Sequence, residues 1–184
     1  MNIKTKHLKD KSTNKDIYKK YAKQIKEFLN AKTIYNLEDS NNKILKLLDD
    51  QCGIDWVLQN NKNEVKGVGV RCIRSDYNSI TIRFKRFTGT KTEFDKKVEA
   101  IANNNLTSNI YFYILTDKEL NLKYMISFNS NTFFNYINEQ KQVLRLRKGK
   151  DDGNVFCFFT IQDLKYIQNN IDIDLKSEEF KQNL

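Results

Sequence analysis

Apolar residues near the start of the chain recur at Ile17, Tyr21, Ile25, Phe28 and Leu29, with lysines between them. Spacings of three and four lay one stripe along a helix, and Ser12, Thr13 and Asn14 offer N-cap oxygens. The pattern predicts a helix over 14–30. Residues 31–37 fit either the end of that helix or a short extended piece. Glu38 to Asn42 reads as a turn, and Ile44, Leu45, Leu47 and Leu48 as a short helix or extended link leading to Asp50.

After Gly53 the period becomes two. Ile54, Trp56 and Leu58 alternate with Asp55, Val57 and Gln59, and Val68, Val70 and Cys72 alternate with Gly69 and Arg71. Strand side chains alternate between faces, so strands over 53–59 and 65–74, joined by the Asn-rich turn 60–63, form an antiparallel hairpin. With both apolar sets on the core face, Asp55 shares the opposite face with Gly69 and Arg71. A third strand, 80–85, turns Ile80, Ile82 and Phe84 inward and Thr81, Arg83 and Lys85 outward. Thr92 can cap a helix from Glu93 to Asn103. The unbroken run Ile110 to Leu115 is the mark of a strand covered on both faces. A strand at 122–128, a helix at 130–139, a strand near 155–159 and a helix at 160–169 follow. The order expected is helix, three antiparallel strands, helix, strand, strand: an α/β sandwich core with added C-terminal elements. One domain is expected over 14–175, between a flexible basic tail (1–13) and a C-terminal tail (176–184).

Charge narrows the partners. Lys+Arg 32 against Asp+Glu 23 leaves a formal charge of +9, which favours a polyanion, nucleic acid first. Arg74, Arg83, Lys85, Arg86, Lys91, Lys96 and Lys97 cluster around the third strand and the next helix. Lys141, Arg145, Arg147, Lys148 and Lys150 form a second group. Such cations supply phosphate contacts without reading sequence. Three cysteines without a CxxC pair suit buried thiols in a reducing cytoplasm. The single histidine, His7, argues against His-based zinc and Ser-His-Asp chemistry. No apolar run approaches the ~20 residues that cross a bilayer, and Met1 to Lys15 lacks a signal-peptide core. A cytoplasmic protein with no membrane partner is expected.

The element order, with Asp55 in the first hairpin strand and Arg71 in the second, resembles the PD-(D/E)XK nuclease superfamily over about residues 15–128. The strings Leu48-Asp49-Asp50, Gly53-Ile54-Asp55, Gly67-Val68-Gly69-Val70-Arg71, Ile80-Thr81-Ile82-Arg83 and Gly89-Thr90-Lys91-Thr92-Glu93 carry the resemblance. It implies a restriction-endonuclease-like mixed sheet flanked by helices. It also implies a Mg²⁺- or Mn²⁺-dependent DNA endonuclease of restriction or phage-defence type, acting as a homodimer. Asp55 matches the metal-ligating aspartate and Arg71 stands in place of the motif lysine. Gly69 stands where the family carries an acidic or amide residue.

Hard cations want carboxylate oxygens, so a second ligand must come from elsewhere: Glu27, Glu38, Asp50, Glu64 or Glu93. A Gly69→Glu substitution would in principle supply it. An alternative register reads Glu64-Val65-Lys66 as the literal Glu-x-Lys. Arg71 stays protonated and cannot be a general base. The competing functions are a catalytically inactive nuclease-like fold binding DNA or protein, and a structural or inhibitory protein whose charge is incidental.

Overall fold

The computed structural model describes residues 14–37, 39–140, 144, 146–148, 154–170 and 173–180, except for the side chains of Arg147 and Asn170. The tail expected over 1–13 lies outside the described residues, as do 181–184. The first apolar stripe forms two helical pieces, α1 (14–20) and α2 (Ala22–Phe28), joined through a turn at Tyr21. The backbone bonds run on through that turn, from Tyr21 N–H to Ile17 C=O and from Ile25 N–H to Tyr21 C=O. The Tyr21 side chain explains the break. Its hydroxyl donates to Leu120 C=O and accepts from Leu122 N–H, tying the helix to a distant turn.

Residues 31–36, ambiguous by pattern, are strand β1 (Ala31–Asn36). Helix α3 (Lys43–Cys52) follows, capped by the Asn42 side chain on Ile44 N–H and closed by Gly53 in the left-handed region at φ 58°. Strands β2 (Trp56–Asn60) and β3 (Val65–Arg74) form the expected hairpin, with Trp56 opposite Val68. Next come β4 (Ser79–Lys85), α4 (Glu93–Ala102), β5 (Ile110–Thr116), β6 (Leu122–Asn129) and α5 (Ser130–Glu139). The chain closes with β7 (Leu146–Lys148), β8 (Val155–Thr160), α6 (Ile161–Asn170) and β9 (Leu175–Glu179). Thr92 caps α4 reciprocally with Asp95, a capping box.

The main sheet has six strands in the order β1-β2-β3-β5-β6-β9. Only β3 and β5 run parallel; the other neighbours are antiparallel. The architecture is therefore mixed α/β, with a mixed sheet between helices. On one face Trp56, Leu58, Val68, Val70, Phe112 and Ile114 pack beneath Ile17, Ile25 and Phe28 of α1 and α2. On the other, Tyr111, Tyr113, Leu115, Ile126 and Phe128 meet α4, α5, α6 and a smaller sheet.

Three expectations need correction. The 80–85 strand does not continue the meander: β4 pairs with β8 in a separate three-stranded sheet, β4-β8-β7. Strand β3 already has β2 on one side and β5 on the other, so no edge remains for β4, and β1 completes the antiparallel trio instead. Ile54 does not share the Trp56 face. A Cβ at Gly67 would lie 3.0 Å from the Ile54 side chain, and alternation puts Gly67 opposite the Val68 face; regular pleating starts only at Trp56. Residues 176–179 are not tail, because β9 pairs with β6. Among the described residues no helix is long and apolar enough to cross a membrane.

Candidate functional site

The end of α3, the entry to β2, the middle of β3 and the start of α4 converge on a cavity of about 290 Å³. Asp55 sits one residue before β2, where the ladder to β3 is closing. Its N–H still bonds Val68 C=O, but the next donor on β3, Val70 N–H, has no strand opposite. The Asp55 carboxylate takes that donor, Oδ2 accepting at 2.6 Å. A buried backbone donor is thus satisfied by a side chain, and this bond fixes the carboxylate at the cavity wall.

Arg71 and Glu93 form the second part. Arg71 leaves β3 on the face opposite Val70 and meets Glu93 at the first turn of α4. The guanidinium Nη2 pairs with Glu93 Oε2. Arg71 Nε donates to the Tyr111 hydroxyl at 3.3 Å, and that hydroxyl donates to Glu93 Oε1 at 2.5 Å. Glu93 is therefore held on both oxygens, besides facing the positive end of the α4 dipole. Tyr111 holds Arg71 above its ordinary pKa, so Arg71 is a fixed cation. Burial holds the Tyr111 phenol well above its usual range, only partly opposed by Arg71.

Lys97 forms the third part. It lies one turn beyond Glu93 on the same helix and is only 2% exposed. Its ammonium donates to Cys52 C=O (3.2 Å), Gly53 C=O (3.2 Å), Thr107 Oγ1 (2.9 Å) and Ser108 Oγ. The two carbonyls are the negative end of α3. Burial lowers its pKa to about 8, against the opposing pull of Asp55 and Cys52. Gly53 is required twice here: for its φ, and because a Cβ would stand 3.2 Å from Lys97 Cε and Nζ.

Of the residues singled out in the sequence, Asp50, Asp55, Arg71, Glu93 and Arg86 line this one cavity, with Lys96 and Lys97 beside them. Glu64 and Lys66 do not. They lie toward the hairpin tip, Glu64 about 17 Å and Lys66 about 10 Å along the strand from Asp55. There Glu64 accepts from Asn60 Nδ2 at 2.8 Å and faces Lys66 at 3.9 Å. The literal Glu-x-Lys reading is thereby separated from Asp55. Glu27 lies on α2, across the sheet, beside Lys23. Arg74, Lys85 and Lys148 are exposed, Lys91 pairs with Glu99 at 2.5 Å, and Arg83 lies over Phe156. Glu38, Arg145 and the Arg147 side chain lie outside the described residues.

Gly69 cannot carry the missing acid. A Cβ there would stand 2.9 Å from the Tyr111 ring and 3.1 Å from Gly53 C=O. Tyr111 is absent from the residues the sequence singles out, and Lys97 appears there only among the surface cations. Tyr111 is one of six residues in an apolar run and has no sequence signal of its own. Lys97 did have one: with Phe94, Val98 and Ile101 it falls on the inward stripe of α4, where a charge is out of place.

The carboxylates around the cavity, Asp49, Asp50, Asp55 and Glu93, suit a hard divalent cation in chemistry but not in their present arrangement. Among the described residues no three acidic, cysteine or histidine groups stand together as a metal site. The chain matches no family model, no curated protein and no solved structure.

Proposed function

We propose that the protein is a divalent-metal-dependent DNA endonuclease with a restriction-endonuclease-like core, as the PD-(D/E)XK resemblance implies. The observation that carries this reading is the convergence of Asp55 before β2, Arg71 of β3, and Glu93 and Lys97 of α4 on one cavity. The mixed sheet, with the β2-β3 hairpin, β5 parallel to β3 and helices on both faces, supports such a core, with β1 in the place expected for the 80–85 strand.

Each side chain has a role that its chemistry permits. Asp55 and Glu93 would hold Mg²⁺ or Mn²⁺, which when bound polarises a phosphate and lowers the pKa of coordinated water. Arg71 offers a planar fork matched to two phosphate oxygens. Lys97 places a second cation behind the site, anchored to the α3 terminus. Arg86 and Lys96 at the rim add backbone contacts that hold DNA without reading it. Cutting both strands of a duplex calls for two copies of so small a site, hence a homodimer.

A second reading has its own support. The closed Arg71–Glu93–Tyr111 arrangement and the filled Gly69 position suit a nuclease-like fold that binds DNA without cleaving it. Supercoiled plasmid incubated with Mg²⁺, Mn²⁺ or EDTA separates the two. Nicking in either metal, absent in EDTA and reduced at least ~100-fold in Asp55→Asn, is the expected result. Asparagine keeps an acceptor for Val70 N–H, so the variant should unfold like the wild type. An inert wild type that still binds duplex with steep salt dependence would leave only the binding role.

A further inference from the structure

No residue of helix α3 is buried, although four of its ten are Ile or Leu. Leu45, Leu48 and Cys52 are half-buried against the rest of the chain, whereas Ile44 and Leu47 are 68% and 50% exposed. With Gln51 these two form an outward stripe at spacings of three and four. Lys43 and Asp50, seven residues apart, lie one above the other along one side of that stripe. Among the described residues neither the Lys43 ammonium nor the Asp50 carboxylate has a partner. Their order also opposes the helix dipole, which favours an acid at the start and a base at the end: Lys43 is the first residue of α3, and Asp50 is in its last turn. Neither charge stabilises its own helix.

We propose that α3 is a self-docking surface, which pairs antiparallel with α3 of a second copy of this chain across a twofold axis near Leu47. An axis midway between Lys43 and Asp50 sets Lys43 of each copy beside Asp50 of the other. Leu47 then meets its own counterpart at the centre, with Ile44 toward either end. Such a contact uses one patch twice, so two ion pairs frame a single apolar seam. The charge order that works against an isolated helix is the order an antiparallel copy requires. A partner of one sign, such as nucleic acid or an anionic membrane, would satisfy only half of it. Helix α3 is about 15 Å long, so the contact falls short of the ~800 Å² a side of a tight complex, and association is weak. The surface is argued without the nuclease reading, but it gives the homodimer of that reading a place. Because the end of α3 lines the cavity, the pairing sets the two cavities on opposite sides of the axis.

Sedimentation velocity of the full chain without DNA should show a reversible dimer with a Kd of about 10–100 µM. Lys43→Asp and Asp50→Lys each turn both ion pairs into like-charge contacts and should weaken the dimer at least about tenfold. Either change improves the match to the helix dipole, so neither should unfold the monomer, which circular dichroism checks. An equimolar mixture of the two variants should associate again, because one chain then offers two acids where the other offers two bases. Leu47→Asp should leave only monomer. A wild type that stays monomeric up to ~1 mM overturns the proposal. So does a dimer that the single reversals leave unchanged, which would assign it to another surface, or a mixture that stays monomeric at concentrations where the wild type associates. Plasmid nicking by a monomeric wild type would remove this interface and leave the nuclease reading. A charge-dependent dimer inert toward DNA would keep the interface and remove that reading.

Discussion

The two faces of the main sheet are built from alternate residues of the same strands, yet they differ in kind. Beneath α1 and α2, Phe112 lies between Phe28 and Trp56, with ring centres 5.6 and 6.0 Å away, in an apolar layer. One residue along the strand, Tyr111 faces the other way and carries its hydroxyl to Glu93 and Arg71. The apolar face gains from area removed from water and needs no direction. The other face carries an apolar core of its own, but where α3, β3 and α4 meet it borders a cavity lined with charges that each need a partner. A change beneath α1 and α2 should therefore appear as stability, and a change at the charged cavity as binding or chemistry.

The sharpest way to break that contrast is Phe112→Ala. Removing a fully buried ring should cost about 3–5 kcal/mol in urea unfolding while the folded fraction keeps whatever plasmid activity the wild type has. A loss of activity in protein that remains folded would show that the faces are not independent. Asp55→Asn, with activity lost and stability kept, is the mirror image.

Lys97 is where the contrast blurs, because it is as buried as the apolar core and still charged. Its pKa in the fold is about 8, below the ordinary 10.5. Below pH 8 both folded and unfolded chains hold the proton, and the group adds no slope. Between pH 8 and 10.5 only the unfolded chain holds it, so unfolding takes up a proton and stability must rise with pH. Relative to Lys97→Met, the wild type should gain on the order of 3 kcal/mol across this window. Urea titrations of both proteins at several pH values check this. A difference independent of pH would mean that Lys97 titrates normally.

The smallest effect is expected at Gly69. Gly69→Glu should cost about 1–3 kcal/mol through the clash with Tyr111 and Gly53 C=O. It should add no cleavage, because the carboxylate has no room to reach the cavity. Enhanced nicking by this variant would mean that the Tyr111 ring moves aside.

Much of the local structure was legible in the chain. The 65–74 strand, the 130–139 helix, the Thr92 cap and the doubly covered 110–116 strand follow from period, cap chemistry and length, which are properties of neighbouring residues. So was the hairpin that sets Asp55 and Arg71 near each other, since the Asn-rich turn and alternation determine its register. Glu93 was legible only as one of several acids.

Pairing over distance was decided by the tertiary structure alone. Strand β4 reads as well for one sheet as for the other, and only the occupation of both sides of β3 sends it to β8. Among the carboxylates, Glu93 was selected over Glu64 because the start of α4 meets the Arg71 side chain of β3, a contact between residues 22 apart in sequence. Tyr111 became part of the site because the parallel register sets it opposite Gly69, where a missing side chain leaves space for its ring. Periodicity records which way a side chain points. What it meets there depends on closing the chain, and the cost of that closure and the surfaces that offset it belong to the whole fold.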